Sequence, residues 1–140
     1  MEKLTQYHVE NLDGKYGFQK LRKWGHLYFS GKPNQEGLEN LKALKVTKII
    51  DLIDPNSEGS ESDWEENWAK SHDLEYDNIP VQCCDHLSRG KVEEIRQAVG
   101  KEGLGNVLIH CMSANRASSW LAAELYRSGL YAEDQALEKA

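Results

Sequence analysis

In the run Val107-Leu108-Ile109-His110-Cys111-Met112-Ser113-Ala114-Asn115-Arg116, an aliphatic stretch is followed by a thiol, a few small or polar residues and a guanidinium. The aliphatic stretch predicts a strand over 106–110. Trp120, Leu121 and Leu125 predict a helix over 116–128, ended by Gly129. Between them lies a strand-to-helix loop whose N–H groups open the helix without intrahelical partners. Converging N–H groups and the helix dipole attract an anion, and the same field favours a thiolate on Cys111. Arg116 adds a planar fork of donors that matches two oxygens of a tetrahedral oxyanion. The loop Cys111, Met112, Ser113, Ala114, Asn115 and Arg116 thus combines a nucleophile, backbone donors and a positive charge. Each residue alone has a plainer reading: Cys111 as a small hydrophobe, Arg116 as a surface residue, His110 as a satisfied buried histidine. The order strand, His, Cys, small loop, Arg, helix is what points to chemistry.

The elements that must position this loop are legible upstream. Leu27–Ser30 reads as a strand stopped by Gly31-Lys32-Pro33, and Asn34 can cap a helix carrying Leu38, Leu41 and Leu44. Val46–Ile53 reads as a buried strand, and 54–62 as a loop. Ser62-Asp63-Trp64-Glu65 has the form of a capping box, opening a helix with Trp64 and Trp68 on one face. Glu75–Val81 reads as a strand and Lys91–Val99 as a helix with Val92, Ile95 and Val99 on one side; Gly103 and Gly105 break it. A last short helix is predicted over 132–140. Residues 1–25 have weak periodicity and are expected to form an irregular lead-in. Alternating strands and helices predict an α/β fold with a mainly parallel central sheet flanked by helices. Ligands of such sheets lie outside the carboxyl ends of the strands, where the loop after Ile109 falls.

With 140 residues, 39% hydrophobic and 29% charged, the chain is expected to form one domain over 1–140. A net charge of −6 argues against nucleic-acid and membrane partners, and Lys20, Arg22 and Lys23 read as a solvated face. No apolar run approaches the ~20 residues that span a bilayer, and residues 1–8 show no secretory apolar segment, so a cytoplasmic location is expected. The three cysteines, Cys83, Cys84 and Cys111, follow neither a disulfide nor a CxxC or HxxxH pattern, so no metal or cofactor is expected. Trp24, Trp64, Trp68 and Trp120 are expected in the core.

The run Val107–Cys111 followed by Arg116 resembles the signature loop of the cysteine-based protein tyrosine phosphatase superfamily. The upstream order is similar to its bacterial beta-lactamase-hydrolase-like, dual-specificity-phosphatase-like branch: Tyr28-Phe29-Ser30-Gly31-Lys32-Pro33, Leu38 to Leu44, Ile49-Ile50-Asp51-Leu52, then Asn78-Ile79-Pro80-Val81. The resemblance covers residues 24–140 and implies a cysteine-phosphatase-like fold. It implies hydrolysis of phosphate monoesters, with Cys111 attacking phosphorus to form a phosphocysteine and Arg116 and the loop amides holding the equatorial oxygens. It places His110 behind the cysteine, ordering the loop and favouring the thiolate. It also implies a general acid after the preceding strand, where Asp85 stands, with His86 beside it as a substitute. Asp85 reads equally well as the cap of the following helix. Ser118 or Ser119 matches the hydroxyl that the family places after the arginine. The partner would be a phosphorylated protein or a small phosphate ester.

The loop departs from that pattern twice. Four residues, Met112 to Asn115, separate Cys111 from Arg116 where the phosphatases have five, and Ala114 stands where they carry glycine. The shorter spacing is similar to that of rhodanese-type sulfurtransferases, whose cysteine carries a persulfide and whose partner is a sulfur donor. A non-catalytic oxyanion-binding module is a third reading. Cys83 and Cys84 read as small residues at a strand end, or as thiols able to trap an oxidised Cys111.

Overall fold

The computed structural model describes residues 8–57, 60–81, 88–100, 105–129 and 133–140. The strands are β1 (Glu10–Asn11), β2 (Leu21–Trp24), β3 (Leu27–Ser30), β4 (Val46–Asp51), β5 (Glu75–Asn78) and β6 (Asn106–His110); the helices are α1 (Gln35–Asn40), α2 (Ser62–Ser71), α3 (Arg89–Val99), α4 (Asn115–Arg127) and α5 (Glu133–Lys139). The strands form one mixed sheet in the order β1-β2-β3-β6-β4-β5. β3, β6, β4 and β5 run parallel, so the loops that follow them all emerge at one edge. The expected α/β architecture is present.

Side chains on successive strand residues point to opposite faces, and this alternation divides the core in two. Leu27, Phe29, Ile50, Leu52, Val107, Ile109 and Cys111 share one cluster with Ile95 of α3 and Trp120 and Leu121 of α4. Tyr28, Ile49 and Leu108 share the other with Leu38 of α1 and Ala69 of α2. Helix starts follow local chemistry: Asn34 Oδ1 accepts from Gly37 N at 2.8 Å and Ser88 Oγ from Lys91 N at 3.1 Å. Among the described residues, no helix is long and apolar enough to cross a membrane.

Two expectations are corrected. The irregular lead-in contains β1 and β2, and β2 pairs antiparallel with β3 through a hairpin closed by Trp24 and Leu27. Gly25, at φ 60°, opens the two-residue turn, a conformation that glycine adopts without steric cost. The basic pair Arg22-Lys23 between buried Leu21 and Trp24 disguises the strand. The tryptophans also divide: Trp24 and Trp120 are buried, whereas Trp64 is 45% exposed. α2 turns Ser62, Glu65 and Ala69 toward the sheet, which rotates Trp64 outward.

Candidate active site

Cys111 follows directly on β6 at the edge where the parallel strands end. Its N–H donates to Ser30 O at 3.3 Å, and Leu52 N–H donates to His110 O at 2.9 Å, so the ends of β3 and β4 brace it from both sides. The thiol is fully buried, and its Sγ accepts the Ala117 N–H at 3.4 Å. That N–H belongs to the first turn of α4, so the sulfur lies in the positive field of the helix start. Ala114 turns the chain from strand to helix with φ 74°, and no side chain caps α4. The amides of the first turn are therefore not consumed by a capping oxygen. The loop after β3 lies against this turn: Lys32 N–H donates to Met112 O at 3.0 Å, and a Cβ on Gly31 would stand 3.1 Å from that oxygen. A cleft of about 430 Å³ opens alongside, with Phe18, Lys20, Lys32, Met112 and Ser113 in its walls.

Arg116 is half-buried, and its Nη1 donates to Val81 O at 2.7 Å. The guanidinium is thus anchored on the segment that follows β5, and among the described residues no other acceptor engages its fork. Ser119 Oγ donates to Asn115 O at 2.9 Å and so is turned onto its own helix; Ser118, nearer the loop, is half-buried. Asp85, His86, Cys83 and Cys84 lie outside the described residues.

Behind the loop is a buried polar cluster. His110 is fully buried on the α2 side of β6; its Nε2 lies 2.6 Å from Glu65 Oε2 and 3.8 Å from Asp51 Oδ1, and its Nδ1 lies 3.4 Å from Cys111 O. Asp51 is the β4 residue in register with His110. Its Oδ2 accepts from Ser62 Oγ at 2.8 Å and from Tyr76 OH at 2.5 Å, and its Oδ1 accepts from Ile53 N at 2.9 Å. Burial opposes charging the imidazole, but the Glu65 carboxylate, with Asp51 behind it, outweighs burial and raises the His110 pKa above its ordinary value. Burial, together with the hydrogen bond and charge of Asp51, pushes the Tyr76 phenol up, so it stays protonated. The Asp51, Glu65 and His110 ligand atoms all lie within 4.8 Å of one another. The 2.6 Å Nε2···Oε2 contact leaves no room between them for a cation, and donors already occupy Asp51, so the cluster is a hydrogen-bonded one.

Sequence reasoning missed Asp51, Ser62 and Glu65 as parts of this site. The capping-box reading of Ser62 and Glu65 is corrected: Glu61 precedes the helix as its cap residue, and Ser62 and Glu65 point into the cluster instead. A charged residue at the end of the apolar run Ile49-Ile50-Asp51-Leu52-Ile53 was the available signal.

No protein-family model matches the chain, and no curated protein matches it. Solved structures do. A DUF442 protein of Shewanella putrefaciens CN-32, a proposed phosphatase, aligns with a TM-score of 0.74 at 25% identity, over 88% of this chain and 78% of its own. P. aeruginosa TpbA, in complex with pTyr, aligns with a TM-score of 0.72 at 21% identity, over 94% and 75%. Kinase associated phosphatase, with its catalytic-site cysteine replaced by serine, aligns with a TM-score of 0.66 at 14% identity, over 95% and 81%. The α/β fold built around the Cys111 loop is the fold of these cysteine phosphatases.

Proposed function

We propose that this chain is a phosphatase of the cysteine-based, dual-specificity-like kind, acting on phosphate monoesters of a protein or a small molecule. The observation that carries this reading is the seat of Cys111 Sγ at the uncapped start of α4, accepting the Ala117 N–H at 3.4 Å. In this reading the thiolate attacks phosphorus and the S–P bond forms as the ester P–O bond breaks. Arg116 and the loop amides hold the equatorial oxygens, where charge accumulates. The leaving oxygen takes a proton from an acid, for which Asp85 is our candidate, with His86 beside it. Water then attacks the phosphocysteine, releasing phosphate and restoring the thiolate. The phosphatase fold neighbours, one of them binding pTyr, support a phosphorylated substrate.

One observation favours a second reading, in which Cys111 carries a persulfide: only four residues separate it from Arg116. Parallel assays separate the two. Hydrolysis of a small aryl phosphate, abolished by Cys111→Ser in a protein that still unfolds cooperatively, is the expected result. Sulfur transfer from thiosulfate to cyanide without phosphate release would overturn it in favour of the sulfurtransferase. Neither activity, with phosphate still bound, would leave the oxyanion-binding module.

A further inference from the structure

β6 hands its side chains to two different faces. Ile109 and Cys111 join the α3–α4 side, while Leu108 and His110 face α2. The imidazole therefore lies on the opposite side of the strand from the thiol, linked to it through one peptide unit: His110 Nδ1 is 3.4 Å from Cys111 O. Two carboxylates from two different elements converge on this imidazole, Asp51 at 1% side-chain exposure and Glu65 at 4%. Burying two carboxylates costs several kcal/mol each unless they are compensated. Donors from α2, β5 and the β4 end satisfy Asp51, whereas among the described residues the short side-chain contact of Glu65 is to His110 alone.

We propose that Glu65, backed by Asp51, is a positioning residue of the cysteine loop: it holds a positively charged imidazolium at His110 behind Cys111 and so sets how readily the thiol ionises. The raised His110 pKa is consistent with that charge. Among the described residues, the charged and titratable groups facing the pair are Glu65 on α2, Asp51 on β4 and, through Asp51, Tyr76 on β5. Tyr76 stays protonated and adds no charge. The imidazolium is therefore the positive charge near Cys111 that a change in α2 can remove. Glu65→Gln keeps an acceptor for Nε2–H but removes the nearer ion partner and leaves only Asp51 at 3.8 Å, so the balance at His110 is expected to move toward the neutral imidazole in the same place. The inference rests on Cys111 being the nucleophile, but its test needs no turnover and holds for phosphorus or sulfur chemistry alike.

The test is the pH profile of iodoacetamide alkylation at Cys111, followed by mass spectrometry, in wild type, Glu65→Gln, His110→Asn and the double variant. Glu65→Gln and His110→Asn are each expected to move the midpoint up by about one pH unit, roughly tenfold slower alkylation below it. The double variant is expected to move it no further than either single one, because Glu65 acts through His110. Asp51→Asn is expected to move it less, in the same direction. A midpoint unchanged in Glu65→Gln, even with lowered stability, would make the cluster structural and overturn the proposal; so would additive shifts in the double variant. Should Glu65→Gln fail to fold, 15N shifts of the His110 ring in wild type decide it: an imidazolium at pH 7 is expected, and a neutral ring at pH 6 overturns the proposal. Absence of phosphatase activity in wild type, with the expected alkylation shifts intact, would count against the proposed function instead.

Discussion

At its C-terminal end α4 is tied to α3 by Glu124, 1% exposed, whose Oε1 accepts from Arg96 Nη2 at 2.5 Å and whose Oε2 accepts from Arg127 Nη2 at 3.0 Å. At its N-terminal end the helix has no side-chain cap; it begins on Ala114 in a left-handed conformation and turns an amide onto Cys111 Sγ. The buried pair behind that end joins Glu65 to His110. Both ends place a buried carboxylate beside a basic side chain, but the basic groups differ. The hydrogen bond that Arg96 donates to Glu124 outweighs burial and raises the Arg96 pKa further, so that end stays charged throughout any working range. His110 is the partner whose charge pH can remove. The far end of the helix is a fixed rivet, and the end facing the loop holds a pair whose charge pH can change.

The largest expected effect falls on the rivet. Arg96→Ala leaves Glu124 buried with Arg127 as its remaining cation, and removing one partner of a buried pair costs about 3 kcal/mol. Urea unfolding should show the same loss at pH 6 and at pH 9, with the alkylation profile of Cys111 unchanged. A loss that varies with pH, or a displaced profile, would mean that the two ends of α4 are not independent.

Glu65→Gln should cost less, about 2 kcal/mol at pH 6, and its cost should depend on pH. The His110 pKa is raised in the folded chain above the ordinary 6.5. The folded protein therefore binds more protons than the unfolded chain between those two values, and stability from the pair falls with rising pH across that window. The contribution is complete below pH 6.5 and is lost as pH passes the raised value, so wild type and Glu65→Gln should converge in alkaline buffer. Unfolding free energies at several pH values check this; a gap that widens toward alkaline pH would contradict the sign.

What the sequence made legible follows the range of the interactions involved. β3, β4 and β6 announce themselves by aliphatic runs, and the loop by the local order of His110, Cys111 and Arg116, because each signal fits within ten residues. The pairing of Asp51 with His110 is a matter of strand register across 59 positions of chain, and no local pattern carries it. Ser62 and Glu65 misled for a related reason: the i, i+3 spacing of a capping box is also the spacing that puts two side chains on one helix face. Local sequence cannot tell a side chain that reaches back to its own backbone from one that reaches a neighbouring strand. β2 was hidden by Arg22 and Lys23, although the Trp24-Gly25-His26-Leu27 turn was a readable hairpin signal.

The smallest expected effect lies in the loop itself, where the absence of glycine drew notice in the sequence. Ala114 occupies φ 74°, a conformation that costs an L-residue about 1–2 kcal/mol. Ala114→Gly removes that strain, while the freer unfolded chain takes back about 0.4–1 kcal/mol. A net gain of about 0.5 kcal/mol is expected, with the Cys111 alkylation midpoint unmoved, because neither the α4 amides nor the His110 charge is touched. The buried methyl of Ala114 sets the alternative. Should Ala114→Gly destabilise by about 1 kcal/mol or more, that methyl would be packing the short loop in place. The reactive end of α4 would then be held by contact rather than strained by its backbone, and the contrast with the Glu124 rivet would narrow to the identity of the cation alone.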